Sequence, residues 1–175
     1  MTTRLFRISW LPGFFTALAS VSVLALPEDA DQPILFEYNN SELLLDEGVE
    51  ILYGNEDSPA EVIQGTLLIT GTEITIRRVD REIKQIRVKG RPAHFQQQPA
   101  ADQPLAIAEG LTLILNLETQ HVSIDGDVEG DVLFSQGNDK WTGCHIDYYL
   151  ETRRLVTPEI EGCRSSAVIA PRNNQ

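Results

Sequence analysis

Apolar and polar residues alternate along most of the chain after residue 26, which is the pattern of antiparallel β-strands with one buried face. The pattern is clearest in residues 64–98. It predicts strands over residues 66–77 and 82–89, joined by a short charged turn, and a third short strand over 93–97. In the first of these, the apolar side chains share one face only if Gly71 marks a bulge or break that resets the phase.

The spacing of glycines predicts that the second half of the chain repeats the layout of the first half at an offset of 72 residues, with chance spacing in a glycine-bearing β sequence as the alternative. Glycines mark positions of unusual backbone conformation or close approach, so a shared glycine register indicates a shared arrangement of strands and turns. The offset carries Gly54 onto Gly126, Gln64-Gly65 onto Gln136-Gly137, Thr70-Gly71 onto Thr142-Gly143, Ile74 onto Ile146, and Gly90 onto Gly162.

The remaining alternating stretches complete an all-β domain. Ile34, Phe36 and Tyr38 share one face of a first strand, and alternate leucines run from residue 111 to 117. A last hairpin is predicted from residues 140–150 and 155–160, with Leu150 facing Leu155. No stretch of the domain keeps a helical period, so the sequence predicts a sandwich or roll of a dozen or more short strands.

The first 25 residues have a different composition. Two arginines precede an apolar run, and Val23-Leu24-Ala25 supplies the small residues of a cleavage site, which predicts an export signal over residues 1–25. The apolar run over residues 8–26 is long enough that a retained membrane anchor is the alternative. The predicted domain is then residues 26–163, followed by a flexible tail over residues 164–175.

Charge excludes one class of function. Removing residues 1–25 removes two arginines and no acids, which moves the formal net charge from −12 to −14. Nucleic-acid binding needs a basic surface, so nucleic acid is not an expected partner.

Cys144 and Cys163 are the only cysteines. Export would place them in an oxidising compartment, where a structural disulfide is the first expectation. Free buried thiols, or a redox or metal role, are the alternatives.

Little in the sequence indicates catalysis. His94, His121 and His145 are scattered on strands, there is no nucleophile motif, and no glycine-rich loop precedes a helix. We therefore expect that the protein is not an enzyme and that it binds no metal and no cofactor. The apolar face itself remains, either as ordinary core or as a trough for lipid chains, and periodicity does not separate the two.

Three motifs carry a family resemblance. They are Asp31-Gln32-Pro33-Ile34, Gln64-Gly65-Thr66 and Gly90-Arg91-Pro92-Ala93-His94-Phe95. With them, residues 31–162 closely resemble the LptA (OstA-like) family of periplasmic lipopolysaccharide-transport proteins. Two features depart from the family pattern: Asp125-Gly126-Asp127 stands where members often have Thr-Gly-Asn, and the cysteine pair is not general.

The resemblance implies a V-shaped antiparallel β-jellyroll, open at both ends, that binds the lipid A acyl chains of lipopolysaccharide in its interior. It implies a periplasmic bridge built by edge-to-edge self-association, between an LptC-like inner-membrane protein and an LptD-like outer-membrane translocon. A membrane-tethered LptC-like member of the same fold is one alternative. A β interaction module that binds no lipid is another.

The expected lipid-binding side chains are those that point inward. Phe95 follows from the family motif, Ile34 and Phe36 from the aligned first strand, and the others from alternation. The full set is Ile34, Phe36, Leu67, Ile69, Ile74, Ile76, Ile86, Val88, Phe95, Leu115, Leu117, Phe134 and Ile146.

Edges and charges complete the expectations. The N-terminal edge is predicted at residues 34–38, and the opposite edge at residues 140–150 with 155–160. Arg78, Lys84 and Arg91 are candidate contacts for lipid A phosphates, with solvated surface charge as the alternative.

Overall fold

The computed structural model describes Asp29, residues 32–127 and residues 132–171, so the predicted export signal over residues 1–25 lies outside the described part. Fourteen antiparallel strands form this part, with a 3-10 turn at Leu45–Glu47. The prediction of an all-β antiparallel jellyroll is confirmed. The strands are β1 Leu35–Glu37, β2 Asn40–Leu44, β3 Val49–Tyr53, β4 Ala60–Gln64, β5 Leu67–Gly71, β6 Glu73–Val79, β7 Glu82–Gln97, β8 Ala106–Asn116, β9 His121–Asp125, β10 Val132–Gln136, β11 Asp139–Gly143, β12 His145–Tyr149, β13 Arg154–Val156 and β14 Ser166–Val168.

Two half-sheets, here called arm A and arm B, share the long strands β7 and β8. Arm A has the order β2-β3-β6-β7-β8-β9-β12-β13, and arm B has the order β1-β4-β5-β7-β8-β10-β11-β14. The first part of β7 pairs with β6 and its last part pairs with β5. The ladder between β7 and β8 shifts register between Lys89 and Ala93, where β7 passes from arm A to arm B.

In the described residues, the chain passes between the arms along one side only, here called the spine. These described passages are the β1–β2, β3–β4, β5–β6, β11–β12 and β13–β14 connections and the bends within β7 and β8. The turns within each arm, such as β6–β7 in arm A and β4–β5 in arm B, lie at the other side, here called the mouth. In the described residues, no backbone connection crosses the mouth.

The predicted duplication is present in the strand layout. Gly65 and Gly137 occupy equivalent β-turns, between β4 and β5 and between β10 and β11, with φ of 57° and 62°. Glycine adopts this left-handed conformation without the steric cost of a Cβ, which explains why the repeat keeps glycine there.

Two of the predicted strands have different boundaries in the structure. Residues 66–77 form two strands, because Thr72 carries the chain from arm B to arm A, so the expected phase reset near Gly71 is a change of arm. The predicted strands over residues 82–89 and 93–97 form the single strand β7. This strand bends at residues 90–92 but pairs with β8 on both sides of the bend.

The C-terminal third also differs from expectation. In the last hairpin Leu155 lies opposite Tyr148, not Leu150, and β13 ends at Val156. The tail expected to be flexible contains β14, which pairs with β11 and is tied to it by the Thr142 and Ser166 hydroxyls at 2.7 Å. A disulfide between Cys144 and Cys163 joins the β11–β12 passage to the segment that precedes β14.

Candidate functional site

The apolar interior of the roll is the candidate site. Alternation selects its residues well, because ten of the thirteen predicted side chains are at most 3% exposed. They belong to one cluster that extends through both arms. These ten are Leu67, Ile69, Ile74, Ile76, Ile86, Val88, Phe95, Leu115, Phe134 and Ile146.

The other three predicted side chains are less enclosed. Phe36 and Leu117 are partly buried and pack against the cluster. Ile34 is 38% exposed, which corrects its placement in the interior. It precedes β1, an edge strand that pairs only with β4 among the described residues, so no neighbouring strand covers it.

Several interior residues were not in the predicted set. Leu113, Val122, Ile124 and Tyr148 are each at most 2% exposed. Leu113 continues the alternation of the predicted Leu115, and Tyr148 continues that of Ile146, so the signal for both was present in the sequence. Leu52 and Val62 are also buried, on strands that sequence patterning had not assigned to the site.

Side chains from the two arms meet in two aromatic contacts. Tyr148 of arm A and Phe134 of arm B lie with ring centroids 4.7 Å apart. Nearer the mouth, the Arg78 guanidinium of arm A lies 5.8 Å from the ring centroid of Phe36 in arm B. Glu50 holds that guanidinium by an ion pair of 2.6 Å. Arg78 therefore connects the two arms at the mouth, where no described backbone connection joins them.

Three buried polar side-chain atoms in the described residues have no hydrogen-bond partner, namely Gln97 Oε1, Gln120 Oε1 and the Tyr148 hydroxyl. The Tyr148 hydroxyl is buried without a hydrogen bond, and burial raises the pKa of Tyr148. A buried hydroxyl without a partner costs free energy, which makes it a candidate contact for a polar group of a ligand.

A concavity opens at the mouth of arm A. Its volume is about 550 Å³, and it lies between the β2–β3 turn and the β6–β7 turn. Leu43, Leu45 and Val79 line it and are 54%, 79% and 49% exposed. Arg78 and Arg81 line the same concavity together with Asp46, Glu47 and Asp80, so it combines apolar surface with charges of both signs.

The strand layout and the sequence were compared with known proteins. The family model described as "LptA/(LptD N-terminal domain) LPS transport protein" matches residues 48–154. The chain belongs to this family.

The sequence and the structure of LptH from Pseudomonas aeruginosa are both similar to this chain. The lipopolysaccharide export system protein LptH is 34% identical over 102 residues, which are 58% of this chain and 56% of LptH. The matched segment thus spans little more than half of that relative. A crystal structure of LptH, described as the LptA-homologous periplasmic component of the lipopolysaccharide transport device, superimposes with a TM-score of 0.69 at 25% identity. That match covers 83% of this chain and all of the crystallised chain.

The histidines of this chain lie closer together in the structure than their positions in the sequence indicated. On adjacent strands β9 and β12, His121 Nε2 and His145 Nε2 lie 2.8 Å and 3.1 Å from the same oxygen, Asp147 Oδ1. His145 Nδ1 also lies 2.6 Å from Asp125 Oδ1. Strand pairing produces this cluster, so no local sequence signal predicts it. Across the described ranges, no three histidine, cysteine or carboxylate groups are arranged to hold a metal ion.

The three candidate phosphate contacts have different surroundings. Arg78 is paired with Glu50, and Lys84 with Glu82 at 2.8 Å. Arg91 has no ionic partner among the described residues and lines a surface concavity with His94. No helix within the described part is long and apolar enough to cross a membrane.

Proposed function

We propose that this chain is a periplasmic carrier that holds the acyl chains of lipopolysaccharide between its two arms. The observation that carries the proposal is an apolar interior enclosed by two arms that, in the described residues, are joined by backbone along one side only. Each buried methylene group contributes about 0.8 kcal/mol, so several acyl chains would bind tightly without any catalytic group.

Lipid would enter by separation of the arms at the mouth. The interior is filled by its own side chains, with Ile74, Ile76 and Ile146 at 0% exposure, so room for a chain must be created. No backbone needs to break for this, because the mouth is closed by side-chain contacts such as Arg78 with Phe36. The concavity with exposed Leu45 and Val79 offers acyl chains a first contact.

The similarity to LptH supports the wider role. LptH is named as a lipopolysaccharide export system protein and as a periplasmic component of a transport device, which supports lipopolysaccharide as cargo and the periplasm as location. In this proposal residues 1–25 are a cleaved export signal. Edge-to-edge stacking forms a bridge from an LptC-like inner-membrane protein to an LptD-like outer-membrane translocon. The energy for transport comes from elsewhere.

The packed interior favours one second candidate, a β interaction module with a closed core. A folded domain whose central side chains are at most 3% exposed has the burial expected of an ordinary core. The two candidates differ in whether the arms separate to admit lipid.

Covalent closure of the mouth tests the proposal. Phe36→Cys and Arg78→Cys would place one thiol on each arm, and a short bismaleimide would join them without touching the paired native cysteines. Native mass spectrometry with purified lipopolysaccharide is then run before and after cross-linking. We expect saturable binding before closure and its loss afterwards.

A matched control places the cross-link within one arm. Glu82→Cys and Lys84→Cys lie on β7 at an exposed ion pair, and their cross-link should leave lipid binding unchanged. Equal binding by the open and closed Phe36–Arg78 variants would show that lipid does not lie between the arms. Absence of binding by the unmodified protein would favour the closed interaction module.

A further inference from the structure

Three glutamines form a row on the inner face of arm B at the mouth, here called the glutamine row. Gln97 and Gln136 pair with Ala106 from its two sides, and Gln64 lies at the same end of β4. Two residues deeper along the strands, or about 7 Å, the inward-facing positions are apolar and include Phe95. The glutamine row thus borders the apolar interior at the mouth.

The buried side chains that are charged or carry an amide are concentrated at this row. Within the described residues they are Asp29, Gln64 and Gln97, at 7%, 8% and 3% exposure. Asp29 accepts a hydrogen bond from the Thr66 hydroxyl, and Gln64 Nε2 donates to the backbone carbonyl of Gln32 at 3.1 Å. Asp29 and Gln64 therefore hold the segment that precedes β1 against the β4–β5 turn, which gives both of them a structural role.

Gln97 is the member of the row without such a role. Gln136 Nε2 lies 3.5 Å from the carbonyl oxygen of Pro104, in the segment that precedes β8, which repeats the contact of Gln64. Gln97 Oε1 is buried, and no group of the described residues donates a hydrogen bond to it. Gln120 Oε1 is also unpartnered, but Gln120 as a whole is only partly buried. A buried acceptor without a donor costs free energy, so a donor from a bound molecule would be favourable at Gln97.

We infer that Gln97 Oε1 accepts a hydrogen bond from a hydroxyl group that the bound acyl chain carries close to its polar end. The inference rests on the proposed function and adds to it the kind of chain that the interior selects. Gln97 is almost fully enclosed, so the donor must enter with the chain and is not part of a head group that stays outside. The donor lies near the polar end because arm B is apolar from Phe95 inward.

This hydrogen bond would make the interior selective. A chain with the hydroxyl satisfies the acceptor, whereas a chain without it leaves the Gln97 oxygen buried and unpaired. A site built to bond a substrate hydroxyl discriminates against the analogue that lacks it for this reason. Plain ester-linked acyl chains of membrane phospholipids carry no hydroxyl, so Gln97 would favour hydroxylated cargo over the lipids of the surrounding membranes. One such bond corresponds to about tenfold in affinity.

Two matched fatty acids test the inference. 3-Hydroxytetradecanoic acid and tetradecanoic acid have the same chain length and the same charge, and they differ by one hydroxyl group. Their dissociation constants for the purified protein are measured by titration calorimetry in detergent-free buffer, below the concentration at which either acid aggregates. We expect the hydroxylated acid to bind about tenfold more tightly.

Gln97→Met removes the acceptor and nearly preserves the length of the side chain. We expect this variant to bind both acids equally, with the affinity of wild type for the plain acid. The matched control is Gln96→Met on the outer face of the same strand, which should keep the tenfold preference. Thermal melting checks that both variants are folded. In wild type, the NMR signal of the Gln97 side-chain amide should shift with the hydroxylated acid only, which tests the contact without a substitution.

The outcomes separate this inference from the carrier function. Equal binding of the two acids by wild type, or a preference that survives in Gln97→Met, would overturn the inference and leave the carrier function standing. Binding of lipopolysaccharide but of neither acid would overturn it as well, since a single hydroxylated chain would then not be recognised. A preference lost in Tyr148→Phe and kept in Gln97→Met would assign the hydroxyl contact to Tyr148 instead. Binding of neither acid and no lipopolysaccharide would overturn the carrier function together with the inference.

Discussion

The backbone amide of Gly126 donates a 2.9 Å hydrogen bond to the carbonyl oxygen of Cys144, where the chain passes between the arms. Seventy-two residues earlier, the amide of Gly54 donates to the carbonyl oxygen of Thr72 at 3.0 Å. The duplication thus extends to single hydrogen bonds along the spine. The passages between the arms therefore lie at matching places in the two halves.

Gly54→Ala should disrupt the first of these passages. An added Cβ would collide with the backbone of Pro59 and Ala60, which cannot move aside as a flexible side chain could. We expect a loss of about 2–3 kcal/mol of unfolding free energy, measured by chemical denaturation. Gly162→Ala is the control, since its Cβ would meet open space and the cost is about 1 kcal/mol from the positive φ alone. Equal losses would show that close packing at Gly54 is not what requires glycine.

Arg78→Ala should loosen the mouth. The change removes a half-buried ion pair to Glu50 and the contact with the Phe36 ring, and we expect a loss of about 1 kcal/mol in unfolding free energy. Faster lipopolysaccharide loading should accompany it if the arms separate there. Lys84→Ala, which removes an exposed pair with Glu82, should change neither quantity. Unchanged loading in Arg78→Ala would place the entry elsewhere.

The substitution Tyr148→Phe tests the contribution of the hydroxyl separately from that of the ring. The hydroxyl is buried without a partner, so its removal should leave the unfolding free energy unchanged or raise it by about 1 kcal/mol. Tyr148→Ala removes the ring that contacts Phe134 and should cost about 3–5 kcal/mol. If the hydroxyl meets a polar group of the lipid, Tyr148→Phe should weaken lipopolysaccharide binding while keeping the fold. Unchanged binding would leave the hydroxyl without a role in recognition.

His145 should make stability depend on pH. Burial lowers the pKa of His145, but the hydrogen bond to Asp125 and the charges of Asp147 and Asp125 outweigh burial and raise it overall. A raised pKa means that the folded state binds the proton more tightly. The resulting stabilisation is complete below the unfolded pKa of about 6.5 and is lost as pH rises through the folded value.

NMR titration of His145 and denaturation at pH 5.5 and 8.5 would check this. We expect wild type to lose more stability than His145→Gln between these two values. His121 faces the same Asp147 oxygen, so His121→Gln shows whether the two rings act together. A His145 titration below that of a free histidine would contradict the expected sign.

Alternation along the sequence was enough to determine most of the side chains that face inward. Ile74 and Ile76 were assigned correctly because a strand places alternate residues on opposite faces whatever its partner is. The spacing of 72 was also visible in the sequence, because glycines at turns and passages keep a register that side chains do not share.

Only the tertiary structure decided which arm each strand joins and which strands are edges. Residues 66–77 alternate on both sides of Thr72, so nothing local shows that the chain changes arm there. The short strand β14 has little pattern of its own and is defined by its pairing with β11, and His121 meets His145 only because β9 and β12 are neighbours. Alternation is a property of a single strand, whereas edges, arms and clusters depend on contacts between residues that are distant in the chain.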